Sequence, residues 1–146
     1  MLTELGVTPS KVVEAPDGCV RLWTARPGLV FSQASGRMVS EHAESIIAAV
    51  EDAIRERPRE VAIIHDLFEV ESYEISVHTR MSTWSVSTFR KVRRVAIGVR
   101  SPLISLAVRT VNLAVGGRFE LLESSGELLA LARRELAFGT ARAQAR

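Results

Sequence analysis

His65 and Asp66 stand side by side after the short apolar run Val61-Ala62-Ile63-Ile64. A histidine next to a carboxylate is the raw material of general-base chemistry. Their spacing argues against that use. A run this short and this β-branched prefers a strand, and adjacent strand residues point to opposite faces of a sheet. The other histidines, His42 and His78, have no metal-ligand spacing with His65 or with each other. Neither a zinc site nor a hydrolase site is assembled from them. Asp66 alone keeps two readings, a functional acid at the strand's carboxyl end or a cap bonding nearby N–H groups.

Two further groups of residues have types that do work at a surface. Glu71-Ser72 falls where a helix is expected to begin, so the Ser72 hydroxyl is either a phosphoryl acceptor or a plain N-cap. Arg90, Lys91, Arg93 and Arg94 form a cationic cluster at the expected end of that helix. They are either contacts for an anionic partner or solvated charges that the helix dipole favours. No aromatic residues interleave them, which removes the stacking platform of a single-strand nucleic-acid binder. Met81 and Trp84 lie on the same segment. They are hot-spot residues for a protein partner if that helix is partly exposed, and core if it packs fully on the sheet.

These residues have to be positioned by elements, and the chain supplies them in a regular order. Residues 1–17 read as a loose lead-in, with a brief strand or turn at Val12-Val13, set between Pro9 and Pro16-Asp17-Gly18. Val20, Leu22 and Thr24 alternate with Arg21, Trp23 and Ala25. With a turn at Arg26-Pro27-Gly28 and a second run from Leu29 to Ala34, this predicts a hairpin. Ser40 is placed as an N-cap, and Ala43, Ile46, Ile47, Val50 and Ile54 follow at helical spacing before Pro58. A strand over 60–66, a loop over 66–72 and a helix over 73–92 come next. Val95–Val99 predicts another strand, and Ser101-Pro102 a helix start. That helix is expected to bury Leu103, Leu106, Ala107, Val111 and Leu113, and to stop at Gly116-Gly117. Phe119–Leu122 predicts a last strand. Ser124-Ser125-Gly126-Glu127 is a capping box for a helix carrying Leu128, Leu129, Leu131, Ala132 and Leu136. Residues 139–146 read as a frayed basic tail. The expected architecture is one α/β domain over 18–138, with about five strands in a mixed sheet and about four helices.

Composition agrees. The 146 residues, 47% hydrophobic and 25% charged, describe a folded domain of ordinary size. A net charge of +2, from 19 basic and 17 acidic residues, gives little reason to expect nucleic acid. Cys19 is the only cysteine, so no intramolecular disulfide forms, and it reads as a small buried hydrophobe. The first residues carry no secretory pattern, and no apolar run approaches the ~20 residues that span a bilayer. A cytoplasmic location is the expectation.

With these residues in place, the chain resembles the STAS family, the sulfate transporter and anti-sigma factor antagonist (SpoIIAA-like) domains, over roughly residues 18–137. Gly36-Arg37-Met38-Val39 closes a strand ahead of the first helix. Val61-Ala62-Ile63-Ile64-His65-Asp66-Leu67 is similar to the family's central strand ending in Asp-Leu. Glu71-Ser72 falls where the family has an acidic residue and a serine, and Val99-Arg100-Ser101-Pro102 resembles its later strand–loop–helix. The resemblance implies a cytoplasmic switch that docks an anti-sigma kinase and is released when a serine at a helix start is phosphorylated. The phosphate adds about −1.5 to −2 charges at the docking surface. The family pattern there is Asp-Ser-Ser/Thr-Gly, whereas this chain has Glu71-Ser72-Tyr73-Glu74. Tyr73 thus replaces the accepting hydroxyl, and the resemblance is to members whose phosphoswitch has degenerated.

The expectation is a non-enzymatic regulatory or scaffolding module that docks a partner protein, with no cofactor and no metal. The docking residues would be Asp66, Glu71, Ser72, Tyr73, Met81 and Trp84, with Ser72, or else Ser76, as the phosphosite and self-association open. The alternative is a small apolar-ligand domain with its pocket between the sheet and the 73–92 helix. A pocket of a few hundred Å³ under Trp84 would favour the ligand, and a closed core beneath an exposed apolar patch would favour docking.

Overall fold

Val20 and Leu22 are buried on one side of their strand and Trp23 on the other, because a pleated strand aims successive side chains at opposite faces. A computed structural model describes residues 6–145 of the chain. The strands, in chain order, are β1 (Lys11–Ala15), β2 (Gly18–Trp23), β3 (Leu29–Met38), β4 (Ala62–Tyr73), β5 (Arg94–Gly98) and β6 (Phe119–Leu122). They lie side by side in that same order in a six-stranded sheet. β1–β2 and β2–β3 pair antiparallel, and β3–β4, β4–β5 and β5–β6 pair parallel. Four helices, α1 (Ser40–Glu56), α2 (Ile75–Thr88), α3 (Pro102–Ala114) and α4 (Ser125–Gln144), complete the domain, and a 3₁₀ turn at Phe89–Lys91 follows α2.

The expected mixed sheet and helix count stand, with one strand added. β1 lies inside the expected lead-in, where Val13 is buried opposite Val20. The rest of that lead-in, residues 1–5, lies outside the described residues, as does Arg146 of the tail. Gly36 makes the β2–β3 register possible. Its φ is +71°, and a Cβ there would lie 2.2 Å from the Asp17 carbonyl oxygen. Only glycine meets both conditions.

Two apolar layers sandwich the sheet. Ala43, Ile46, Ile47 and Val50 of α1, Val77 and Trp84 of α2, and Ile104 of α3 pack on Val20, Val30, Ile63 and Ile97. Leu128, Leu131 and Ala132 of α4 cover Trp23, Phe31, Ala62, Ile64 and Ala96 on the other face. Each large apolar side chain fully buried in this way contributes roughly 1.5–3 kcal/mol.

Helix starts depart from expectation in instructive ways. Ser40 is the first residue of α1, and Val39 is its N-cap. The Val39 N–H donates to Nδ1 of the buried His42 at 3.1 Å. At α4 the N-cap half of the expected capping box is present, since the Ser124 hydroxyl accepts from the Glu127 N–H at 3.2 Å. α3 begins as expected but buries a different face. Ile104 is buried and Ala107, Val108 and Val111 are half-buried, while Leu103, Leu106 and Leu113 are 54%, 66% and 84% exposed. The tail is also more ordered than expected, because α4 runs on to Gln144. Arg26 reaches it, donating to the Leu136 carbonyl at 3.2 Å and to the Thr140 hydroxyl.

Candidate functional site

The largest correction falls on β4. His65 and Asp66 do not end the strand, and there is no loop over 66–72. Phe68 and Val70 are buried while Glu69 and Glu71 are exposed, the alternation of a strand, and pairing with β3 continues to Met38–Tyr73. The register runs Gln33–Asp66, then Ser35–Glu69, and Gly36–Val70, then Arg37–Ser72, so β4 holds an extra residue at two bulges. Asp66 sits at the first of them. Its carboxylate accepts from the Phe68 N–H and from Gln33 Nε2, both at 3.1 Å. It is a local cap, and burial pushes its pKa above the ordinary 3.8.

His65 faces the opposite side of the sheet, as the spacing required. Its Nδ1 lies 2.5 Å from the Ser32 hydroxyl of β3, and burial lowers its pKa to about 4. No base–orienter pair exists between the two neighbours. The Phe68 ring, packed under α4, leaves no room for a side chain at residue 98 of β5. A Cβ on Gly98 would lie 2.6 Å from a ring carbon. Arg100 stands over the same ring at 5.6 Å and 3.7 Å from Glu69.

Because β4 extends so far, α2 starts later than expected. Its N-cap is Glu74, whose N–H donates to the Met38 carbonyl at 3.0 Å and so joins the start of α2 to the end of β3. Ser72 is therefore a half-buried strand residue opposite Arg37 and not an N-cap. The hydroxyl at the helix start belongs to Ser76. It is exposed, lies 3.0 Å from the Ser40 hydroxyl in the first turn of α1, and donates to Glu74 at 3.4 Å. Ile75 beside it is 82% exposed. Glu71 is exposed, and the half-buried Tyr73 stacks on His78 at 5.8 Å. Parallel strands followed by helices place the starts of α1, α2 and α3 at this one edge of the sheet, and the exposed Leu103 and Leu106 begin α3 there.

Trp84 is core. It is 6% exposed, and its Nε1–H donates to Glu51 of α1 at 3.3 Å. It is no exposed docking residue, because α2 turns that face onto the sheet and α1. Met81 is half-buried. Both border an apolar cavity of about 120 Å³ between the sheet, α2 and α3. That is smaller than a pocket for a drug-sized ligand.

The cationic cluster divides. Arg90 and Lys91 are exposed in the 3₁₀ turn, as solvated charges would be. Arg93 and Arg94 are not free for an anion. Arg93 holds Glu135 of α4 at 2.5 Å, and Arg94 holds Glu135 at 3.0 Å and Glu120 at 2.7 Å. Burial alone would raise the Glu135 pKa, but the hydrogen bonds and charges of Arg93 and Arg94 hold it below the usual carboxylate range. Cys19 is half-buried in β2. Among the described residues, no helix is long and apolar enough to cross a membrane.

Ser40 and Ile75 are the site residues that sequence reasoning passed over, while Ser76 stood beside Ser72 as an alternative for the switching hydroxyl. The alternation of Phe68 and Val70 with Glu69 and Glu71 was the available signal, and extending the strand by it moves the helix start to Glu74.

No family model matches the chain, and no curated protein matches it in sequence. Solved structures do match in shape. An uncharacterized protein of the DUF3478 family with a SpoIIAA-like fold, from Shewanella loihica PV-4, is 18% identical with a TM-score of 0.56, over 83% of this chain and 90% of that one. An anti-sigma factor antagonist from Mycobacterium paratuberculosis is 18% identical with a TM-score of 0.55, over 83% and 99%. The anti-sigma factor antagonist SpoIIAA in its unphosphorylated form is 15% identical with a TM-score of 0.57, over 80% and 97%. The sheet order, the helices and these superpositions together give the chain a SpoIIAA-like, STAS-type fold.

Proposed function

We propose that this domain is a non-enzymatic regulatory module that docks a partner protein at the carboxyl edge of its sheet. The single observation that carries this is Ile75. A large aliphatic side chain that is 82% exposed, in the first turn of α2 and next to the Ser40–Ser76 hydroxyl pair, is poorly placed for folding and well placed for an interface. Glu71 and Tyr73 flank it, and Leu103 and Leu106 extend the apolar surface along α3. The fold shared with proteins named as anti-sigma factor antagonists supports a protein partner by analogy. The partner would be of the anti-sigma kinase kind. Ser76 then takes the switching role first considered for Ser72. A phosphoryl group there would sit at a helix N-terminus and crowd Glu74, changing the charge of the docking surface.

The test is a pull-down from native lysate with wild type, Ile75→Asp, Ser76→Asp and the opposite-face control Arg133→Glu, each first checked for native circular dichroism. A protein retained by wild type and the control but lost by both edge variants is the expected result. Identical sets from all four baits would sink the docking surface. Trp84→Ala is unsuited to this purpose, since emptying a core site disturbs folding before it disturbs binding.

A further inference from the structure

The cavity beneath α2 has a mostly apolar wall, to which Val70, Val77, Met81, Trp84, Ile97 and Val108 contribute from β4, α2, β5 and α3. His65, His78, Ser85 and Thr88 are among its polar members. The Ser82 hydroxyl also lines it, and that oxygen is buried with no hydrogen-bond partner. A helical serine ordinarily satisfies itself on a carbonyl of the preceding turn. Leaving a buried hydroxyl unmet costs about 1–3 kcal/mol, so a group that met it inside the cavity would gain correspondingly. His65 borders the same space with Nδ1 already engaged by Ser32.

Volume and polarity together select the occupant. A space of about 120 Å³ is several times what one water needs. Water is stable in such a space only with roughly 2–4 polar partners, and this wall is overwhelmingly aliphatic and aromatic. Apolar cavities of roughly this size stay dry and accept a single aromatic ring. Access is provided by the composition of α2. Thr79, Ser82, Thr83, Ser85, Ser87 and Thr88 make it a weak helix on its own account, and the half-buried Ser85, Ala107 and Val111 line the cavity where α2 faces α3.

We propose that this cavity is a binding site for a small, uncharged, ring-sized molecule bearing one hydroxyl, with the ring among Val77, Met81, Trp84 and Ile97 and the hydroxyl on Ser82. Tyr73 borders both this site and the docking edge, but the proposal does not rest on the docking edge. Charged aromatics are disfavoured by the same wall, which holds no Asp, Glu, Lys or Arg side chain to compensate a buried charge.

Phenol and toluene are the probes, since they differ by the hydroxyl at nearly constant size. Each is titrated into ¹⁵N- and methyl-labelled full-length protein and followed by chemical shift. Saturable shifts confined to residues of α2, α3 and β5 around the cavity are expected for both. Phenol should bind about five- to tenfold more tightly, the worth of one hydrogen bond to a buried hydroxyl. In Ser82→Ala that preference should vanish while toluene shifts persist, which also shows that the cavity survives the substitution. Ala107→Leu, which intrudes from α3, should weaken both probes. Absence of saturable shifts at the cavity in wild type overturns the site. Equal affinity of the two probes for wild type, or a phenol preference that survives in Ser82→Ala, overturns the assignment of the hydroxyl.

Discussion

His65 shows how a single residue's surroundings determine what its chemistry becomes. Beside Asp66 in sequence it suggested a catalytic base, yet the strand sends the two side chains to opposite faces, and burial holds the imidazole neutral with a pKa near 4. The unfolded chain keeps the ordinary value of 6.5. Between pH 6.5 and 4 the unfolded state therefore binds more protons, and stability falls as pH falls through that window. The loss amounts to about 3 kcal/mol at the acid end. Denaturant unfolding of wild type and His65→Gln across this range should give curves that converge toward acid pH. Asp66 and Glu135 contribute to both proteins and cancel in the difference. A difference independent of pH would mean that His65 is not held neutral. None of this was legible from His65 itself, because desolvation is a property of the neighbours that only the fold assembles.

At the scale of elements, sequence patterning worked where one face of an element was plainly apolar and failed where two candidate faces competed. β6 was read to the residue because Phe119–Leu122 is short and bounded by turn and capping signals. α3 is apolar nearly all round, so Leu103, Leu106 and Leu113 compete at the same period with Ile104, Val108 and Val111. Only packing on the sheet decides between them. β4 is longer than expected because His65-Asp66 reads as a polar strand end, and only the alternation of Phe68 and Val70 with Glu69 and Glu71 signals that the strand continues past its bulge. The joint between β5 and α4 was invisible for a related reason. Arg93 and Arg94 look like a cationic tail until Glu135 arrives from far along the chain. Glu135→Gln should cost about 1–3 kcal/mol, mainly through its three hydrogen bonds from the two charged donors, Arg93 and Arg94. Thermal unfolding checks this, and a loss within error would show that the arginines are as well served by solvent.

At the scale of the whole molecule, both faces of the sheet must be covered, but they are covered by unequal parts of the chain. α1, α2 and α3 arise as crossovers between parallel strands and close one face as the sheet is built, whereas among the described residues α4 is the helix that closes the other. The inequality appears most clearly on the ribosome. When Leu122 has emerged, all six strands exist and one layer is complete, yet Trp23, Phe31, Ile64 and Phe68 still face water. That platform waits for the helix beginning at Ser125, which is synthesised after every strand of the sheet. A chain ending at Glu123 should collapse into a form that binds hydrophobic dyes and sediments, and adding residues 124–146 in trans as a peptide should reduce the dye signal. A soluble, monomeric truncation would contradict this. The helix that follows the last strand thus sets the interval during which a nascent chain is sticky, and a messenger read slowly over the codons of α4 would lengthen that interval without changing one residue of the product.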